Sequence, residues 1–291
     1  MSSAEWGPHP PTDTTPGAEA VQVALLRRAS VAGRVRLARS LSQTAMELSR
    51  RAIRATQATG GRGEALDAFV ELVYGTPVAE GLRKRAWPHG QQEVTVRPPD
   101  LLAALSPVVD ALEALGVAYH LGGSVASSAH GMPRSTVDVD LVAELALRHV
   151  AGLVERLRDA YYVEPDAVRR AIATRSSFNV IHLATMLKVD VFVPQGRPYD
   201  REAARRAAPH PLEEAPGARA FRVASPEDVI LTKLEWYRAG GEVSERQWHD
   251  VLGVLRVKGQ ALDVAYLERW AHELGIGDLL GRAQAEARGT L

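Results

Sequence analysis

The 291-residue sequence contains no cysteine. Disulfides, iron–sulfur clusters, thiolate zinc sites and a cysteine nucleophile are therefore excluded. The sequence also lacks an excess of either charge, because 35 Lys and Arg residues balance 35 Asp and Glu residues. This balance excludes a basic, nucleic-acid-binding coat over the whole surface, although it leaves room for a local basic patch.

Long hydrophobic runs are lacking as well. The longest apolar stretch, from Leu101 to Ala118, is interrupted by Pro107, Asp110 and Glu113 and cannot form a membrane-spanning helix. The first ten residues show neither the basic start nor the apolar segment of a secretory signal. With 46% hydrophobic and 24% charged residues, the composition is typical of a globular protein with a sizeable core. We expect a cytoplasmic protein with no membrane partner.

The pattern of the sequence changes along the chain and predicts four parts. Residues 1–17 are rich in Pro and Thr and predict a disordered tail. Residues 18–97 predict an N-terminal helical region followed by a linker. Residues 98–224 alternate between helix and strand patterns, and residues 225–291 return to a helical period that begins at Ser225-Pro-Glu-Asp. We therefore predict an α+β fold, in which an α/β core with a mixed β-sheet is flanked by helical regions at both ends.

Two acids alternate along a predicted strand over residues 136–143. Side chains on a strand point to opposite faces in turn, so Asp138 and Asp140 share one face while aliphatic residues form the other. Two such close carboxylates repel each other, and a hard divalent cation with oxygen ligands relieves that repulsion. The pattern predicts a Mg²⁺ (or Mn²⁺) site at these two acids. A solvated strand face is the alternative.

A third acid lies in a predicted hairpin whose strands cover residues 177–183 and 186–194. Asp190 stands on the face opposite to Val189 and Val191. If this hairpin pairs beside the first strand, three carboxylates converge, which is enough for the two metal ions that hold the attacking and leaving oxygens in phosphoryl transfer. An ion pair between Asp190 and Lys188 on the same face is the alternative.

A glycine-rich turn, Gly122-Gly123-Ser124, falls between a predicted strand and a predicted helix. Glycines let backbone N–H groups come close to a ligand, and the start of a helix attracts anions. The turn therefore predicts a cradle for the phosphates of a nucleotide, a plain turn being the alternative. The Ser124 hydroxyl either binds a phosphate oxygen or caps the helix.

Gly-Gly-Ser, a spacer, Asp-x-Asp and a later strand Asp together resemble the signature of the DNA polymerase β-type nucleotidyltransferase superfamily. The run Arg134-Ser-Thr-Val-Asp-Val-Asp is similar to the bacterial branch that holds minimal nucleotidyltransferases and abortive-infection toxins. The segment from Ser225 to Leu234, with Arg246-Gln-Trp-His-Asp250 after it, is similar to the helical C-terminal part of such proteins. The resemblance covers about residues 100–260 and does not extend to residues 1–97.

This resemblance implies a metal-dependent enzyme that moves a nucleoside monophosphate from a triphosphate such as ATP to an acceptor hydroxyl. Asp138, Asp140 and Asp190 would be the catalytic, metal-binding residues. The acceptor would be a tRNA 3′ end, a protein or a small molecule. A toxin role in a toxin–antitoxin or phage-defence system, with an antitoxin partner, is also implied. A catalytically silent relative that binds a partner protein or RNA is the alternative.

Several basic residues are candidates for contacts with phosphate. Arg134 precedes the acids on the same loop, Lys188 is close to Asp190, and Lys233 falls on an apolar helix face, where it could instead pair with an acid such as Asp250. A cluster of eight N-terminal arginines could hold RNA or an acidic partner, with a solvated helix face as the alternative. The cluster consists of Arg27, Arg28, Arg34, Arg36, Arg39, Arg50, Arg51 and Arg54.

Overall fold

In a computed structural model of the chain, the described residues are 15–56 and 100–289, with the single positions 71 and 80. Most of the predicted tail, and nearly all of the predicted helical region and linker between residues 57 and 99, lie outside them. Over the described residues, no helix combines the length and the apolar character that crossing a bilayer requires.

Two helices precede the core, α1 (Pro16–Arg28) and α2 (Val31–Thr56). The side chain of Thr15 accepts a hydrogen bond from the Ala18 N–H, and Pro16 occupies the first turn, so the helix begins two residues before the expected boundary. Arg34 is only 4% exposed. Its guanidinium donates hydrogen bonds to the carbonyls of Leu26 and Ala29 at the end of α1 and to that of Ala129 in the core. This buried cation therefore joins the helical pair to the rest of the protein.

The core contains one seven-stranded sheet in the order β3-β4-β5-β2-β1-β7-β6. β2 pairs with β5, and β1 with β7, in parallel, whereas the other neighbours are antiparallel, so the sheet is mixed as predicted. The strands are β1 (Tyr119–Leu121), β2 (Asp138–Ala143), β3 (Tyr161–Tyr162), β4 (Ser177–His182), β5 (Leu187–Phe192), β6 (Ala208–Pro211) and β7 (Ala220–Val223).

Nine further helices surround this sheet among the described residues. They are α3 (Leu101–Ala114), α4 (Gly123–His130), α5 (Val150–Leu157), α6 (Pro165–Thr174), α7 (Pro198–Arg206), α8 (Pro226–Ala239), α9 (Glu245–Lys258), α10 (Val264–Glu273) and α11 (Gly277–Gly289). The side chains of Asp100, Ser225, Ser244 and Asp263 accept backbone hydrogen bonds at the starts of α3, α8, α9 and α10. The α+β prediction, with helices at both ends, is confirmed.

The structure differs from the sequence prediction in three elements. β2 begins at Asp138 rather than at residue 136, because the Thr136 N–H donates to Ser42 Oγ of α2 at 2.8 Å instead of joining the sheet. The sequence did not predict α7 or β6. β6 carries two prolines and pairs only with β7 at the edge of the sheet, where prolines are tolerated.

The two faces of the central strands differ sharply. Val139, Leu141, Val189 and Val191 are at most 1% exposed and belong to the hydrophobic core, in which α3 packs against β2 and β5. The opposite face of the same strands is polar. It borders a cleft lined by residues of α7 and α8. Alternation along β2 and β5 thus separates the core from the candidate site.

Candidate active site

The parallel pairing of β2 and β5 brings the three predicted acids together. Asp140 lies directly opposite Asp190, and Asp138 lies opposite Lys188. Paired residues of neighbouring strands point to the same face of a sheet, so all four side chains lie on the polar face. The expected convergence of the three acids on one surface is therefore present.

Each acid is held by a different partner. Thr136 Oγ1 donates to Asp138 Oδ1 at 2.7 Å. The backbone of Ser124 acts on Asp140 in the direction that lowers the pKa of this carboxyl. Lys188 Nζ lies 2.7 Å from Asp190 Oδ2, so the ion pair considered as the alternative for Asp190 is present. Over the described ranges, no group of three or more His, Asp or Glu side chains is arranged to hold a metal ion as it stands.

The electrostatics of the acids agree with the chemistry of a cation site. Burial, followed by the charges of Asp138 and Asp190, raises the pKa of Asp140 to about 6, although Lys233 acts in the opposite direction. Burial and Asp138 also raise the pKa of Asp190, and Lys188 opposes this. A bound cation would relieve both the repulsion and the desolvation of these groups. The donors are carboxylate oxygens, which Mg²⁺ and Mn²⁺ prefer, so these residues fit the predicted ion.

The glycine turn is built around Asp140. The Gly122 N–H donates to the carbonyl of Asp140 at 2.9 Å. Gly123 has a φ of +51°, and a Cβ added there would lie 1.6 Å from Asp140 Oδ2. A Cβ at Gly122 would have no heavy atom within 4 Å, and both glycines line the cleft. The close approach that excludes a side chain at Gly123 is thus made by the protein's own carboxylate.

The Ser124 hydroxyl is placed differently from either sequence prediction. Its side chain is buried, and Ser124 Oγ lies 2.7 Å from Thr136 Oγ1, which in turn donates to Asp138. The hydroxyl neither caps α4 nor lines the cleft. A chain of two hydroxyls therefore links the glycine turn to the first acid. Thr136 was not predicted as a site residue, although its place two residues before Asp138 was a usable signal.

Asp250, which is 5% exposed on α9, holds two of the predicted phosphate-binding cations. Arg134 donates to its two carboxylate oxygens at 2.7 and 2.9 Å, and Lys233 Nζ lies 2.9 Å from Oδ2. The predicted bridge from Lys233 to Asp250 is present. Lys233 still faces the cleft, and its charge lowers the pKa of Asp140. The link from Arg134 to Asp250 was not predicted, because the two residues are 116 positions apart.

The arginine cluster of the N-terminal helices is not a single free patch. Arg27, Arg34, Arg36 and Arg39 each contact a carbonyl or carboxylate of the protein itself. The side chains of Arg50 and Arg54 lie outside the described ones. These intramolecular contacts weaken the case for an RNA surface on α1 and α2.

A cleft of about 710 Å³ adjoins Asp140, whereas Asp138 and Asp190 are not among the residues that line it. Asp140, Gly122, Gly123 and Lys233 line it together with the aromatic side chains of Phe192 and Trp236. This volume is in the range of small-molecule sites. The two aromatic residues were not predicted as site residues, although Trp236 follows Lys233 by three positions on one helix and therefore shares its face.

Comparison with known proteins gives only distant structural similarity. No family model matches the chain, and no curated protein matches it. The solution structure of the antibiotic-resistance factor ANT(2'')-Ia is similar at 15% identity and a TM-score of 0.37, over 65% of this chain and 94% of that one. An antigenic nucleotidyltransferase-like protein from Paracoccidioides brasiliensis is similar at 16% identity and a TM-score of 0.36, over 62% of this chain and 90% of that one.

Proposed function

We propose that this protein is a metal-dependent nucleotidyltransferase of the DNA polymerase β-type superfamily, which transfers a nucleoside monophosphate from a nucleoside triphosphate to an acceptor hydroxyl. One observation carries the proposal. Three carboxylates share the polar face of β2 and β5, and one of them, Asp140, lies against a glycine turn at the start of α4 in a cleft that also contains Lys233. Acids for a cation and a backbone cradle for phosphate are the parts that phosphoryl transfer requires.

The glycine turn and Lys233 would position the triphosphate. Gly122 has open space where a side chain would otherwise be, so a phosphate can come close to the backbone at the start of α4. Lys233 is held by Asp250 and adds a positive charge beside Asp140. Arg134, on the other side of Asp250, would add a second positive charge near the acids. These groups bind and orient; the protein itself forms no covalent bond.

Asp138 and Asp140 would hold Mg²⁺ or Mn²⁺, with Asp190 as a third ligand. The bound ion neutralises charge on the phosphate oxygens and lowers the pKa of an oxygen that it binds. Lys188 pairs with Oδ2 of Asp190, so the other carboxylate oxygen could hold the ion while this pair remains.

In the reaction, the acceptor oxygen forms a bond to the α-phosphorus. The bond from that phosphorus to the oxygen bridging to the β-phosphate breaks, and pyrophosphate leaves with its electron pair. Asp190 would take the proton of the acceptor hydroxyl. Without a bound ion, burial and Asp138 raise the pKa of this carboxylate, although Lys188 opposes them.

The proposal is tested by incubating the protein with each α-labelled triphosphate, Mg²⁺ or Mn²⁺, and an acceptor, and by following the label into product. Asp138→Asn and Asp140→Asn should each lower the rate about a thousandfold, if one metal ligand contributes about 4 kcal/mol in the transition state. Asp166→Asn, an exposed acid paired with Arg169 outside the cleft, is the control and should act as wild type. Full activity in the two acid variants, or a triphosphate that never binds, would refute the proposal.

The acceptor and the cellular role are tested separately. Total tRNA, the protein's own hydroxyls and hydroxyl-bearing small molecules such as an aminoglycoside are the acceptors to compare. A toxin role predicts that induced expression arrests growth, that Asp140→Asn abolishes the arrest, and that a co-expressed neighbouring antitoxin protein relieves it. Normal growth with abundant active enzyme would contradict that role and leave the transferase activity standing.

A further inference from the structure

Two aromatic side chains of the cleft, Trp236 and Phe192, leave part of their ring surfaces uncovered by other residues. Trp236 on α8 is 52% exposed although it is the largest type of apolar side chain. Its ring lies 6.0 Å from that of Phe192 at an interplanar angle of 65°, an edge-to-face arrangement. An edge-to-face pair leaves ring faces uncovered, and both rings line the cleft. These faces are available to a flat ligand.

The two rings stand at a defined offset from the candidate catalytic groups. Phe192 follows Asp190 by two residues on β5, a displacement of about 7 Å along the strand. Trp236 follows Lys233 by three residues on α8, a rise of about 4.5 Å along the helix. One displacement starts at the proposed metal ligand Asp190 and the other at the proposed phosphate-binding Lys233, and both end at the ring pair. The offset is of the order of one sugar ring, which is what separates a phosphate from a base in a nucleotide.

Three charged residues of the cleft lining are already paired with one another, since Arg197 pairs with Glu235 and with Asp200. The open ring faces of Trp236 and Phe192 fit a flat, aromatic ligand.

We infer that Trp236 and Phe192 form the subsite for the base of the nucleoside triphosphate. The inference rests on the proposed function, since it takes Asp140, Lys233 and the glycine turn as the phosphate end of the same ligand. The base stacks on the exposed ring face, and the sugar spans the distance to the acids. Stacking on aromatic side chains accepts every base, so we expect binding of several triphosphates rather than one.

Calorimetric titration of the full-length chain in Mg²⁺ separates the base from the phosphates. The two ligands are tripolyphosphate and whichever of ATP, GTP, CTP and UTP binds wild type most tightly. Trp236→Ala should weaken nucleotide binding about fivefold to 150-fold and leave tripolyphosphate binding within about twofold. Trp236→Phe keeps a ring and should retain most of the affinity. Leu147→Ala, an exposed apolar residue outside the cleft lining, is the control and should change neither.

Each other outcome has a distinct meaning. Equal nucleotide affinity in Trp236→Ala and wild type overturns the inference, and so does an equal loss of nucleotide and tripolyphosphate binding, which indicates a structural role. Unchanged nucleotide affinity with a higher KM for the acceptor would assign the rings to the acceptor instead and also overturns it. A wild-type protein that binds neither ligand refutes the proposed function itself, which is a different result from any of these.

Discussion

Asp250 offers the sharpest test of how the candidate site is assembled, through the substitution Asp250→Asn. The side chain is 3% exposed and neutralises two cations, Arg134 and Lys233, which are 26% and 12% exposed. Burial by itself would raise the pKa of Asp250, but the hydrogen bonds from Arg134 and the charge of Lys233 outweigh it and lower the pKa. Asparagine keeps the size of the side chain, removes its charge and replaces one accepting oxygen with an N–H donor.

The expected loss of stability follows from the two cations that remain. Removing one partner of a buried ion pair costs about 3–5 kcal/mol, because the other charge stays buried without compensation. Arg134 is partly open to water, so the lower end of the range applies. We expect Asp250→Asn to lower the free energy of unfolding by about 3 kcal/mol. We also expect it to weaken triphosphate binding, because Lys233 is no longer held beside Asp140.

Urea denaturation at pH 7 measures this effect directly, provided that the m value is unchanged. Asp278→Asn is a matched control, since both oxygens of Asp278 accept from Arg238 at 2.7 Å on the exposed surface. It should lose much less stability than Asp250→Asn, because its ion pair is exposed to water. The folded-state pKa of Asp250 is lowered. Its contribution to the free energy of unfolding is therefore complete when the pH is above the ordinary carboxyl pKa, and it is lost as the pH falls through the folded-state pKa. The variant should lack this component of acid denaturation. An Asp250→Asn protein as stable as wild type would refute the reasoning.

Three further outcomes are expected. The metal-free protein should lose about 3 kcal/mol of stability as the pH rises from 4 to 6, because the pKa of Asp140 is raised to about 6 and the folded state holds this proton more tightly than the unfolded chain. Asp140→Asn should lack this decline and melt at a higher temperature at pH 7. An unchanged pH profile in the variant would contradict the assignment. Gly123→Ala should be strongly destabilised, since its Cβ would overlap Asp140. Gly122→Ala should melt like wild type but bind triphosphate more weakly in calorimetry. Equal melting temperatures for the two variants would count against this prediction. Arg34→Met should lower the free energy of unfolding by about 3 kcal/mol in urea, because buried carbonyls lose a charged donor; if Arg34 belonged to a solvated patch instead, stability would not change.

The sequence by itself determined the features that depend on local periodicity. Alternation along residues 138–143 placed Asp138 and Asp140 on one face of a strand and the core residues on the other. Side chains that accept backbone hydrogen bonds marked the starts of the later helices, as at Ser225 and Ser244. Strand faces and helix starts can be predicted from the sequence because each depends on only a few neighbouring residues. β6 was not predicted because its prolines break the alternating pattern. α7 was not predicted because only two of its residues, Tyr199 and Ala203, form its buried side.

Only the tertiary structure decided which distant residues meet. The register that sets Asp190 opposite Asp140 depends on how β5 docks beside β2. The binding of Arg134 and Lys233 by one buried Asp250 depends on the position of α9. The physical reason is that these contacts arise from burying one common core, whose packing brings segments together irrespective of their separation along the chain, whereas a local pattern specifies only the face on which a side chain lies.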